Sequence, residues 1–438
     1  MRDVLDIRRG GITTPRSPLN IPSARRSPFI ETACCFAAVA SLAASPLVGT
    51  VPAAIFLVSI AVLAFLRPAE TVRDIALFLP LLALPLLAMV STIWSDAPER
   101  TLRAAIQMML TMMAAIMICR RISSGTLILM LFAAMAVACM FAVPAIPDAL
   151  ARRQPLIGPY GSKNAMAYAA HLLIALSLAV AFEPKRSAWW RLAACCAIPP
   201  ALGLMYLAQS AGALMSLIIS SIVFPSLVIF GRVGIRWRAC IVAFVLVTLA
   251  IALVGLSDLQ TAAADFRQDV LHKDATLTGR AFLWDFAYRL AHARPMLGYG
   301  YYSFWREGNI DAEGLWRHFG INTRTGFNFH NTFIEIRIDL GWTGLIVLVT
   351  TCAAIVGLAL VRQFARPSVG LAFLLALTVS ELVRSAGEVS LFVPFSYYTV
   401  LLMGTAIYAL QPFDAAGEAA ARASNTLGRR MIGEARKT

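Results

Sequence analysis

Charge is what this chain has least of. Only 14% of its 438 residues are charged and 59% are hydrophobic, where soluble domains carry about a quarter charged residues. That imbalance excludes an ordinary soluble globule. Acidic residues are scarcer still: 24 Asp and Glu face 38 Lys and Arg, for a net charge of +14. All eight cysteines sit in apolar runs, so no disulfide framework or CxxC metal site is indicated. No P-loop, GxSxG or HExxH motif occurs. Asp311 and Glu313 form one isolated AspXGlu pair, and His318 and His330 lack compact ligand spacing, so no metal site is assigned. The apolar runs lack the every-second-residue alternation of barrel strands, which excludes a transmembrane β-barrel.

What is present is apolar sequence in lengths that suit a bilayer. A hydrocarbon core of roughly 30 Å takes about 20 residues of helix. About twelve such runs occur, near 33–49, 51–66, 75–93, 104–119, 125–146, 164–182, 190–208, 211–230, 239–256, 341–361, 369–386 and 391–410. The reading is an all-α integral membrane protein with about 12 transmembrane helices. Prolines at Pro46, Pro52, Pro144, Pro199 and Pro200 mark turns or kinks. With the N-terminal tail in the cytoplasm, the short inside loops hold 12 Lys and Arg. The short outside loops hold six: Arg100, Arg103, Arg152, Arg153, Lys163 and Arg384. This positive-inside bias accounts for most of the net charge without a nucleic-acid partner. Both tails, 1–30 and 411–438, read as cytoplasmic, the first as disordered. The membrane domain between them is 31–410.

One long polar stretch, 257–340, interrupts the pattern between the ninth and tenth spans and falls on the outer side. A loop of that length should be folded in part. Over 279–295, Phe282, Leu283, Phe286 and Leu290 share one side at helical spacing, and Pro295 ends the run. That pattern predicts an amphipathic helix lying on the outer membrane surface. Tyr299, Tyr301, Tyr302, Phe304 and Trp305 read either as sugar-facing or as interfacial aromatics. A second outside loop, 151–164, carries Arg152, Arg153 and Lys163, for substrate phosphate or for lipid headgroups.

An outside-facing set of Arg, Lys, His, Asn and aromatics suits a phosphorylated or pyrophosphorylated substrate whose leaving group needs stabilising. His330 is the candidate general base. It precedes a helix start with Asn331 or Thr332 as cap, and a helix N-terminus disfavours the imidazolium. Arg280 opens the amphipathic helix and faces either lipid phosphate or substrate. Arg384 and Glu388, four apart, are expected to pair on one helix face. A transporter would predict ionisable groups in mid-span; here they cluster at span ends and in the outside loops, which favours a surface-facing enzyme.

Several segments, in this order, resemble the O-antigen ligase and polymerase superfamily, and in particular its exopolysaccharide-polymerase branch. They are WSDAPERTLR (94–103), GPYGSKNAMA (158–167), TGRAFLW (278–284), PMLGYG (295–300), FHNTFIEIRIDLGWTG (329–344) and GEVSL (387–391). The resemblance implies a GT-C-like helical enzyme of the bacterial inner membrane with its large loop periplasmic. Its donor would be a glycan on undecaprenyl pyrophosphate. Its acceptor would be another glycan, as in a polymerase, or lipid A core, as in a ligase. Transfer would invert the sugar and use no cofactor or metal, and polysaccharide-assembly proteins are possible partners. His330 would deprotonate the acceptor hydroxyl. Arg280, with a cation from Lys163, Arg153 or Arg152, would hold the pyrophosphate. Asn331, Glu335 and Asn164 would support the site. One departure stands out: in QSAG (209–212), Ala211 occupies a position where many members carry Arg.

Overall fold

The computed structural model describes residues 29–231, 233–234, 236–237 and 274–411. The chain divides into a compact unit, Arg25–Ala409, and a second made of its two ends, nearly all outside the described residues. The expected ninth span, 239–256, and the start of the long loop also lie outside them. Helices fall on the other eleven expected spans. They are α1 (Phe29–Ala44), α2 (Val51–Leu66), α3 (Pro68–Leu77), α4 (Ala83–Val90), α5 (Pro98–Arg121), α6 (Ser124–Met140) and the short α7 (Ile146–Ala151). Then come α8 (Lys163–Phe182), α9 (Ala188–Ala208) and α10 (Ala211–Phe230). After the loop helices α11 (Asp274–Ala293) and α12 (Ile310–His318) come α13 (Thr332–Ala365), α14 (Val369–Arg384) and α15 (Tyr397–Leu410).

Six of the described helices are long and apolar enough to cross a membrane, and the pair α2 and α3, bent by 104°, makes up to a seventh. Helices α1 and α15 are apolar but shorter. The third expected span is not one helix: it runs through α3, a 3-10 turn at Leu79–Leu82, α4 and another at Ser91–Ile93. Pro80 and Pro85 each remove a backbone donor there. Pro199 and Pro200, by contrast, lie inside α9. The central helix is α8, buried along most of its length and packed against α6, α9 and α10. At the far end of the bundle, α3 is fastened to α5 by buried charge. Arg120 reaches Asp74 at 3.3 Å and Arg121 reaches Glu70 at 3.2 Å.

The described part of the long loop builds its own core. Leu283, Ala287, Phe304, Trp305, Leu315, Trp316 and Phe329 are buried together with Ile334 and Ile338 at the start of α13. This revises the expected surface helix. Leu283, Ala287 and Ala291 of α11 are buried against protein, because the aromatics of 299–329 give that face a drier partner than headgroups. Phe282 is 41% exposed and stacks on His318 at 4.4 Å. Tyr301, Phe304 and Trp305 are core residues, so of the five aromatics only Tyr302 is largely open.

The loop is locked to the bundle by a hydrogen-bond exchange. Gly341 has φ +66° and breaks α13. The carbonyls of Ile338 and Asp339 lose their helical donors and accept instead from the N–H groups of Tyr299 (2.9 Å) and Gly300 (2.9 Å). In return, the N–H groups of Trp342 and Thr343 donate to Pro295 (2.9 Å) and Met296 (3.2 Å). A Cβ on Gly341 would stand 2.3 Å from the Met296 backbone, and one on Gly298 2.5 Å from the Ile338 carbonyl. Segment 94–101 clamps the same turn. Trp94 Nε1 donates to the Leu297 carbonyl (2.9 Å), Asp96 pairs with Arg294 (2.7 Å), and Thr101 Oγ1 donates to the Tyr301 carbonyl (2.8 Å). Trp94, Asp96 and Thr101 of the motif at 94–103, and the turn at 295–300, are therefore scaffold.

Candidate active site

The N-terminus of α13 docks on the turn that ends α14. Asn331 caps α13: its Oδ1 accepts from Phe333 N–H (2.9 Å) and Ile334 N–H (3.2 Å). Its Nδ2 donates to the Ala386 carbonyl (3.0 Å). Thr332 N–H donates to the Ser385 carbonyl (2.8 Å), and Thr332 Oγ1 donates to the Glu388 carbonyl (3.0 Å). Electropositive N–H groups of one helix end thus meet carbonyls released by another.

His330 sits immediately before this cap with φ +50°, a conformation that strains a side chain with a Cβ. Three bonds hold the turn there. His330 N–H donates to Asn328 Oδ1 (2.8 Å), Phe329 N–H donates to Glu335 Oε2 (2.8 Å), and Trp284 Nε1 donates to the Phe329 carbonyl (2.8 Å). Glu335 Oε1 also accepts from Trp305 Nε1 (3.0 Å). The buried Glu335 carboxylate therefore ties the His330 turn to the loop's aromatic core.

Glu388 is the hub. Its Oε1 accepts from Asn164 Nδ2 (3.0 Å) and Arg280 Nη2 (3.1 Å), and its Oε2 lies 3.2 Å from His330 Nδ1. Asn164 Oδ1 accepts in turn from Ser210 Oγ (2.9 Å), the cap of α10. Burial pushes the Glu388 carboxyl up. The hydrogen bond and charge of His330, with the charges of Arg280 and Arg384, outweigh it and hold this carboxyl below its ordinary range. A carboxylate facing Nδ1 selects the tautomer that carries its proton on Nδ1. Nε2, which has no hydrogen-bond partner among the described residues, then holds the lone pair. Side-chain exposures of 30% for His330 and 31% for Arg280 leave both open to a ligand.

The structure thus brings together His330, Arg280, Asn164, Asn331 and Glu335. Lys163 is half-buried at the first position of α8, beside Asn164, with no ion-pair partner among the described residues. Arg152 and Arg153 are not drawn into the cluster. Arg152 is exposed and pairs with Asp148 at 2.9 Å, and Arg153 is an exposed turn residue. Ala211 follows Ser210, so the position expected to carry Arg borders the same network. The expected Arg384–Glu388 pair is replaced. Helix α14 ends at Arg384, which binds Glu381 at 3.1 Å and lies 3.5 Å from the Tyr168 ring centre. Glu388, freed from the helix, turns toward His330. Its central place was missed in the sequence; the signal for it was the GEVSL resemblance.

The profile of the O-antigen ligase family matches residues 197–349. The chain is also 28% identical over 282 residues to the exopolysaccharide production protein ExoQ of Rhizobium meliloti (strain 1021). That match covers 64% of this chain and 64% of the relative, slightly under two thirds of the relative's length. Both findings support the O-antigen ligase and polymerase superfamily. His330 and Arg280 fall within 197–349; Asn164 and Glu388 reach the site from outside it.

Proposed function

We propose that this protein is a membrane glycosyltransferase that polymerises a surface or exopolysaccharide from glycans carried on undecaprenyl pyrophosphate. The loop faces the periplasm and both termini the cytoplasm. His330 Nε2 takes the proton of an acceptor sugar hydroxyl. The hydroxyl oxygen forms a bond to the donor's anomeric carbon from the face opposite the leaving group, inverting it. The bond between that carbon and the pyrophosphate oxygen breaks, and the lipid pyrophosphate departs with the electron pair. Glu388 keeps His330 in the accepting tautomer. Arg280 and Lys163 stabilise charge on the leaving group, so the scheme needs no metal. The observation that carries the reading is one carboxylate, Glu388, contacting both His330 and Arg280 at 3.2 and 3.1 Å.

The name of the similar rhizobial protein speaks of exopolysaccharide production, which fits the polymerase reading. The description of the matching family keeps a second reading, ligation of the glycan to lipid A core. A gene deletion complemented with wild type or His330→Ala separates them. Single repeat units left on the lipid carrier, rescued by wild type alone, mean a polymerase. Full-length chains unattached to lipid A core mean a ligase. An unchanged glycan profile in the deletion rejects both.

A further inference from the structure

We propose that a groove between α2 and α5 holds a second lipid-linked pyrophosphate, that of the acceptor, with Arg100 and Arg103 as its anion site. This deepens the polymerase reading and rests on it. Three observations meet there. A cavity of about 530 Å³ runs along Phe56 and Leu57 of α2 and Leu110 of α5. Arg100, Arg103 and Gln107 line it, at spacings of three and four that put them on one face of α5. Neither arginine has a carboxylate partner among the described residues, although both belong to the outside positions that normally lack cations.

An apolar channel crowned by two guanidinium groups, neither in an ion pair among the described residues, fits an amphiphile with a long hydrocarbon tail bearing a pyrophosphate. Arg offers forked donors matched to phosphate oxygens, and its stem lies along apolar surface. The groove also runs toward the segments that carry His330 and Glu388. A smaller chamber of about 140 Å³ shares Tyr302, Val393 and Pro394 with it. Asn328, Thr332 and Val389, which flank His330 and Glu388 in sequence, line that chamber, as do Glu335 and Asp339. Carboxyl groups and an amide suit sugar hydroxyls, and among the described residues no cationic side chain lines the chamber to draw a phosphate. The guanidinium groups hold the anion at their end while its sugar extends toward His330. Joining two lipid-linked glycans requires two such anion sites, and Arg280 with Lys163 supplies the other.

The test is equilibrium binding of radiolabelled undecaprenyl pyrophosphate to the purified full-length protein in phosphatidylcholine nanodiscs. The wild type should bind two molecules per chain. In Arg100→Gln/Arg103→Gln one site should remain and the other weaken by roughly 100-fold, as for charge-assisted hydrogen bonds lost from two guanidinium groups. Leu57→Trp, which fills the groove and leaves the cations in place, should weaken the same site. Arg280→Ala should weaken the other. A single site, sensitive to Arg280→Ala and indifferent to the α5 and α2 variants, would overturn the proposal and leave the polymerase reading standing. Equal displacement by phosphatidylglycerol would mark an ordinary headgroup contact and also overturn it. No binding of undecaprenyl pyrophosphate at all would remove both.

Discussion

Replacing Glu388 by Gln removes one charge and almost no volume, so it isolates what the carboxylate does. The wild-type side chain presents two acceptor oxygens, one to Asn164 and Arg280 and one to His330. Glutamine presents one oxygen and one NH2 group. If the oxygen keeps Arg280 and Asn164, the NH2 group faces His330 Nδ1 and forces it to accept. The ring proton then moves to Nε2, the atom that must take the substrate proton. If the amide flips, Arg280 and Asn164 face a donor instead. Either way one charge-assisted hydrogen bond is lost, about 1.5–3 kcal/mol. Converted at 1.36 kcal/mol per tenfold, that is a fall in kcat of about 10- to 150-fold. His330→Ala removes the base itself and should cost about 10²- to 10⁴-fold. Because Glu388 acts through His330, the double variant should be no slower than His330→Ala. The assay is the rate of polymer extension by purified protein from lipid-linked repeat units. Wild-type kcat in Glu388→Gln, or fully additive losses in the double variant, would refute the reasoning.

Three further outcomes follow from the same geometry. The Glu388 carboxyl is held below its ordinary range, so the stability it adds is complete above the unfolded glutamate value, about 4.3, and is lost as pH falls through its lowered folded value. The difference in Tm between wild type and Glu388→Gln should therefore be constant at neutral pH and shrink toward zero in acid. Gly341→Ala places a Cβ 2.3 Å from the Met296 backbone and strains a positive φ; protease cleavage within 294–301 should accelerate sharply and activity fall with it. Arg152→Ala and Arg153→Ala, exposed and away from His330, should leave the polymerisation rate within about twofold, as for surface changes of about 0.5 kcal/mol or less. A large loss in either would place a phosphate contact at that loop.

The helices were legible because length and apolarity are local properties. Runs such as 164–182 and 211–230 coincide with α8 and α10 almost to the residue. The break between α3 and α4 was missed because an apolar count does not weigh two prolines. The interlock of 295–300 with 338–343 was hidden for another reason. A glycine that frees two carbonyls has meaning only beside a distant strand of backbone that takes them. His330, Arg280 and Asn331 stood out as polar exceptions with a resemblance behind them. Glu388 did not, because four-residue spacing assumed a helix that stops at Arg384. The aromatics of 299–305 were assigned to sugar or membrane, since composition cannot tell an exposed ring from the core of a small extramembrane fold.

Every part of the hub comes from a helix end or the segment beside one, and the last part arrives late. Glu388 follows Asn164 by 224 positions. At roughly 5–20 residues per second, that separation is on the order of 10 to 45 s of synthesis. Arg280 and His330 are made within that interval, and until it ends nothing fixes the one or sets the tautomer of the other. In the proposed reaction, the full rate therefore arrives only when the turn after α14 closes on the start of α13, so closing that contact and completing the site are one event.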